Sequence, residues 1–129
     1  MSRTVLLVGT RKGLFALEGD DSRAKWELKG PWCEGWPVYH AIHDPQTGDI
    51  YAAAASEWHG SSIWRSPDMG ETWTQSSEGI EYAPDSGRKV SKVSNLAVKN
   101  GRVLVGVEAP GIFESTDQGA TWSLKSTLA

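Results

Sequence analysis

Ser66-Pro67-Asp68-Met69-Gly70-Glu71-Thr72-Trp73 and Ser115-Thr116-Asp117-Gln118-Gly119-Ala120-Thr121-Trp122 share Ser, Asp, Gly, Thr and Trp at matching places, with Trp122 standing 49 residues after Trp73. At the same offset upstream, Ser62-Ile63-Trp64-Arg65 aligns with Gly111-Ile112-Phe113-Glu114, while residues 50–53 align more loosely with 103–106, 53 residues on. A worn third copy opens the chain. It runs through Leu6, then Gly13-Leu14-Phe15, then Trp26, which precedes Trp73 by 47 residues. In that copy Glu18-Gly19-Asp20-Asp21-Ser22-Arg23 replaces the Ser-x-Asp-x-Gly core. Recurrence at one such period marks a repeat architecture, each repeat a supersecondary unit that buries its apolar face against its neighbours.

The units are made of strands. Residues 4–9, 13–17, 38–43, 50–55, 62–65, 93–98, 102–107 and 111–114 are short runs rich in β-branched and aromatic residues. Asp44-Pro45-Gln46-Thr47-Gly48, Pro84-Asp85-Ser86-Gly87 and Asn100-Gly101 supply turn chemistry between them. No longer stretch carries apolar residues at helical spacing, so the predicted class is all-β. Four short strands per repeat is the pattern of β-propeller blades. The expected domain is a single partial propeller over 1–129: blade 1 within 1–30 with three strands, blade 2 within 37–77 and blade 3 within 89–127 with four each. Such a ring is incomplete unless copies associate, because an open blade face leaves apolar side chains exposed.

The repeated motif has an architectural task. Its Asp carboxylate accepts backbone N–H bonds within a tight turn, and the Ser and Thr hydroxyls satisfy the remaining turn groups. Gly at the third marked position permits a positive φ. The Trp opens the outer strand and buries a large ring beneath the turn. Ser66, Asp68, Gly70, Thr72, Trp73, Ser115, Asp117, Gly119, Thr121 and Trp122 are therefore read as structural.

Composition narrows the function. With 13 Lys+Arg against 16 Asp+Glu, the chain lacks the basic excess that a nucleic-acid or anionic-membrane binder needs. No apolar run approaches the roughly 20 residues of a membrane span, and the opening residues lack a signal-peptide pattern, so a cytoplasmic setting is expected. Cys33 is the single cysteine, which rules out an intrachain disulfide and a cysteine-rich zinc site. His40 and His43 differ by three and would face opposite sides of a strand, so no metal and no cofactor is expected.

The doubled Ser-x-Asp-x-Gly-x-Thr-Trp resembles the Asp-box, or bacterial neuraminidase repeat, of sialidase-like β-propellers. Val8-Gly9-Thr10-Arg11-Lys12-Gly13-Leu14-Phe15 and Glu34-Gly35-Trp36-Pro37-Val38-Tyr39-His40 resemble the first blades of bacterial proteins described as glycosyl hydrolases or exo-sialidase-like. The resemblance covers nearly the whole chain and implies an N-terminal portion of a longer propeller. It also implies a ligand site on the face formed by the b–c and d–a loops, where Arg11, Trp36, Trp58, His59, Arg88 and Glu108 become ligand-binding candidates. Glu34, Glu57 and Tyr39 are the candidates for acid, base or nucleophile there, since glycosidases pair two carboxylates about 5–10 Å apart. The family's catalytic set is not complete: only Arg11 is placed for an arginine triad, and its Arg-Ile-Pro signature is absent. Two functions follow as expectations. One is a glycosidase-like enzyme or its remnant, which binds a saccharide or carboxylated ligand on that face. The other is a noncatalytic propeller scaffold for protein interaction, with self-association as a way to close the ring.

Overall fold

The computed structural model describes residues 4–19, 26–56, 60–76, 79–81, 85, 90, 92–108 and 111–127. Eleven strands run through them: β1 (Thr4–Thr10), β2 (Gly13–Gly19), β3 (Trp26–Trp32), β4 (Val38–His43), β5 (Ile50–Ser56), β6 (Gly60–Ser66), β7 (Thr74–Ser76), β8 (Lys92–Lys99), β9 (Arg102–Glu108), β10 (Gly111–Ser115) and β11 (Ser123–Thr127). They form three antiparallel sheets, β1-β2-β3, β4-β5-β6-β7 and β8-β9-β10-β11, each a meander in chain order. The protein is all-β, as its pattern of short runs and turns predicts, and no helix occurs among the described residues.

The turns are built from their own polar side chains. Between β4 and β5, Asp44 Oδ1 accepts the Gln46 N–H at 2.9 Å, while the Gly48 N–H donates to the Asp44 carbonyl at 2.7 Å. Asn100 and Gly101 both take a positive φ, 50° and 79°, as a two-residue hairpin turn between β8 and β9 requires.

The second sheet lies between the other two, with β1 and β2 packed against β4 on one side and β8 packed against β4, β5 and β6 on the other. This explains the run Ile50-Tyr51-Ala52-Ala53-Ala54. A strand covered on both faces reads as continuously apolar. Ile50, Ala52 and Ala54 join Leu14, Cys33 and Val38 in a core shared with the first sheet. Tyr51, Ala53 and Ile63 join Val93, Leu96, Val105, Phe113 and Trp122 in a core shared with the third. Two hydrogen bonds also cross from the second sheet to the third: Leu96 N–H to His40 Nδ1, and the Ser76 hydroxyl to the Ala120 carbonyl, each 2.8 Å. His40 is thus a packed, hydrogen-bonded histidine.

The outer strands start later than the motif predicts. Thr72-Trp73 and Thr121-Trp122 belong to the turns, and the strands begin at Thr74 and Ser123. The cause is local, because the Thr72 and Thr121 N–H groups donate to Asp68 and Asp117 and are withdrawn from any ladder. β3 instead runs past its expected end, from Trp26 to Trp32.

Candidate functional site

The two motif turns are superimposable in their bonding. Ser66 Oγ donates to Asp68 Oδ1 at 2.9 Å and accepts the Gly70 N–H at 2.8 Å, and Asp68 Oδ1 accepts the Thr72 N–H at 2.8 Å. In the second copy the same three distances, through Ser115, Asp117, Gly119 and Thr121, are 2.7, 2.8 and 2.9 Å. The Thr72 and Thr121 hydroxyls donate to the remaining carboxylate oxygens at 2.5 Å. These bonds hold both carboxyls below the ordinary range, led by the threonine hydroxyl in each case, and bring Asp117 to about 2. Each carboxylate is engaged within its own turn, which fits structure rather than proton transfer.

Two features of these turns escape a reading of the motif alone. The left-handed conformation starts one residue before the glycine, at Met69 and Gln118, both with φ 58°. The glycines are also points of close approach. A Cβ on Gly70 would stand 2.3 Å from Trp32 Cζ2, and one on Gly119 would stand 3.1 Å from Tyr51 Cε1. Each turn therefore docks on an aromatic ring of the preceding sheet. The copies differ at their tryptophans: Trp73 Nε1 donates to the Gly70 carbonyl at 3.0 Å, whereas Trp122 Nε1 is buried with no hydrogen-bond partner.

At the edge where β1 turns into β2, the Gly35 N–H donates to the Lys12 carbonyl at 3.1 Å, and the Trp36 N–H closes a turn onto the Cys33 carbonyl at 3.0 Å. Exposed Arg11 and Lys12 on the β1–β2 turn are thereby joined to the loop that carries exposed Glu34. Tyr39, exposed on β4, follows that loop. Trp36 does not present a platform, because its ring meets Trp64 edge-on at 5.7 Å and packs on the core between the first and second sheets. The Trp32 ring is turned away from this edge, since it covers Gly70 and lies 5.8 Å from Trp73. Cys33 is buried beneath the loop, and burial pushes its thiol up to about 12, which removes it as a nucleophile.

Glu108 ends β9 opposite Lys92, on the third sheet, with the second sheet between it and Arg11. Glu57, Trp58, His59 and Arg88 lie outside the described residues.

One charged cluster was missed by sequence reasoning. Arg65 grips buried Asp49 with Nε to Oδ2 at 3.0 Å and Nη2 to Oδ1 at 3.3 Å, and the Tyr51 hydroxyl donates to Asp49 Oδ2 at 3.3 Å. Burial first, then the Asp49 charge, pushes the Tyr51 phenol up to about 12. Arg65 reaches a groove of about 580 Å³ between β7 and the second motif turn, which Thr74, Gln75, Ser76 and Asp117 also line. Only the placement of Asp49 and Arg65 at the same end of two antiparallel strands, Asp49 just before β5 and Arg65 near the end of β6 with Ile50 facing Ser66, could have signalled the pair. Among the described residues no group of three His, Cys, Asp or Glu side chains is placed to hold a metal ion. No helix of these residues is long and apolar enough to cross a membrane. No protein-family model matches the chain, and no curated protein matches it.

Proposed function

We propose that the chain is a noncatalytic segment of an Asp-box propeller that binds a carboxylated saccharide at the edge built by the β1–β2 turn and the loop after β3. The observation that carries this reading is the Gly35 to Lys12 bond, which joins Arg11 and Lys12 to the loop bearing Glu34. A guanidinium offers a bidentate grip on a ligand carboxylate, and a carboxylate beside it accepts from sugar hydroxyls. Turnover is not part of the reading, because Arg11 is the single arginine on that turn where the family's catalytic set has three.

Saturation-transfer NMR with a nine-carbon carboxylated sugar and with galactose tests it. The carboxylated sugar binds, galactose binds more weakly, and Arg11→Ala weakens the carboxylated sugar at least tenfold, as loss of a hydrogen bond to a charged group worth about 1.5–3 kcal/mol requires. Equal affinity in wild type and Arg11→Ala would sink the reading.

The scaffold reading keeps support of its own. Both Asp-box turns, Trp32, Trp36, Trp64 and Trp73 are all engaged in packing between sheets.

A further inference from the structure

The three sheets use the same strand positions to stack, which allows their faces to be compared position by position. Val8 faces Phe15 across β1 and β2, as Ala52 faces Trp64 across β5 and β6 and as Val105 faces Phe113 across β9 and β10. The residues two places earlier, Leu6, Ile50 and Val103, lie on that same face. In the second and third sheets this face is pressed onto the sheet before it. Ile50 and Ala52 are 1% and 0% exposed, Val103 and Val105 2% and 0%, whereas Leu6 and Val8 are 50% and 39% exposed. The tryptophans follow suit. Trp122 is buried and Trp73 half-buried, but Trp26, whose ring lies over Gly19 on this same face of the first sheet, is exposed. The first sheet thus presents, uncovered, the surface that the other two sheets bury.

The opposite faces match as well. Leu7, Gly9 and Leu14 in the first sheet correspond to Tyr51, Ala53 and Ile63 in the second and to Leu104, Gly106 and Ile112 in the third. The first two sets receive the next sheet. Gly9 marks such a contact, because a Cβ there would stand 2.5 Å from the Val38 carbonyl oxygen. Gly106 occupies the same position in the third sheet, yet a Cβ there would meet nothing closer than Asn95 Cβ at 3.8 Å, and Leu104 and Ile112 are only half-buried. A small residue is kept where a neighbouring sheet would come close.

We infer that a second copy of this chain docks its first sheet, through Leu6, Val8, Phe15 and Trp26, onto the third sheet of its partner at Leu104, Gly106 and Ile112. The contact is head-to-tail, and two copies place six sheets in series. The inference rests on the stacked-repeat reading of the fold and is independent of the ligand proposed for the Arg11 edge. One chain carries both halves of the contact, each equivalent to a face already used inside it, which is why the occupant is a second copy.

Two single variants separate the faces. Leu6→Lys puts a charge on an already exposed strand position. Gly106→Val suits a strand and fits the open space over the third sheet, but it blocks close approach. Light scattering on a size-exclusion column should give the wild type a mass of two chains across a wide range of concentration. Each variant alone should run as one chain, and an equimolar mixture should regain the two-chain mass, since it retains one intact contact. A monomeric wild type, a Gly106→Val variant that pairs as the wild type does, or a mixture that stays monomeric would each overturn the proposal. Circular dichroism on the same samples separates the causes: a monomer with a β spectrum and cooperative unfolding keeps the stacked fold and loses only the contact.

Discussion

Asp117 is exposed at the surface of the protein, yet its carboxylate is bonded to a serine hydroxyl, a backbone N–H and a threonine hydroxyl of one short turn. All three bonds favour the charged form, so the folded group releases its proton more readily than the unfolded one. The sign of the resulting pH dependence is fixed by that difference. A depressed carboxylate contributes stability that is complete above its unfolded value, about 3.9, and is lost as pH falls through the folded value. For Asp117 that value is about 2, and Asp68 shifts in the same direction. Asp117→Asn keeps an acceptor for the Thr121 N–H but places an amide opposite the Thr121 hydroxyl. The variant should unfold several degrees below wild type at pH 7, and the gap should close between pH 4 and pH 2. Thermal unfolding followed by tryptophan fluorescence at a series of pH values measures this. A gap that stays constant down to pH 2 would show that the carboxylate does not act through its charge.

The motif glycines separate two physical effects that an alignment merges. Gly70, Gly119 and Gly35 all take a positive φ, of 96°, 82° and 86°, but their surroundings differ. An added Cβ meets the Trp32 ring at 2.3 Å from Gly70, the Tyr51 ring at 3.1 Å from Gly119, and nothing within 4 Å from Gly35. Gly35→Ala therefore measures backbone strain alone, on the order of 1–3 kcal/mol. Gly119→Ala should cost somewhat more, and Gly70→Ala the most, because the Trp32 ring must leave its place against Trp73. Urea unfolding of the three variants tests the order, and a Gly70→Ala cost no larger than that of Gly35→Ala would remove the docking role. The same positions show what was legible in the sequence. Bonds inside the turns were, because Ser, Asp and Thr reach their partners within four residues. The ring that each glycine covers was not, since it comes from another sheet and no local spacing encodes it. The candidate site divides likewise. Arg11 and Glu34 became candidates through the family resemblance and are exposed, while the packing of Trp36 on Trp64 depends on how the first sheet meets the second.

Across the whole molecule, burial is uneven in a way that orders the sheets by stability. β5 is a central strand with both faces covered, and residues 50–54 are buried without a break. Its amides become accessible only when the second sheet parts from both neighbours, which amounts to global unfolding. β3 is an edge strand of the first sheet, and its exposed opening residues Trp26, Glu27 and Leu28 fray without disturbing the core that Trp32 joins at the strand's far end. Amide exchange should therefore be slowest in β5, at the rate set by global stability, and faster by orders of magnitude in β3 and in three-residue β7. Exchange followed by mass spectrometry on peptides spanning 50–56 and 26–32 measures the difference directly. If β5 exchanged as quickly as β3, the second sheet would not be held between the other two. The comparison also carries the intermolecular contact: the peptide over 4–10 should exchange more slowly in the paired wild type than in the monomeric Gly106→Val variant. Protection over 50–56 belongs to the single chain and should be the same at every concentration, so the two levels of stacking are read in one experiment.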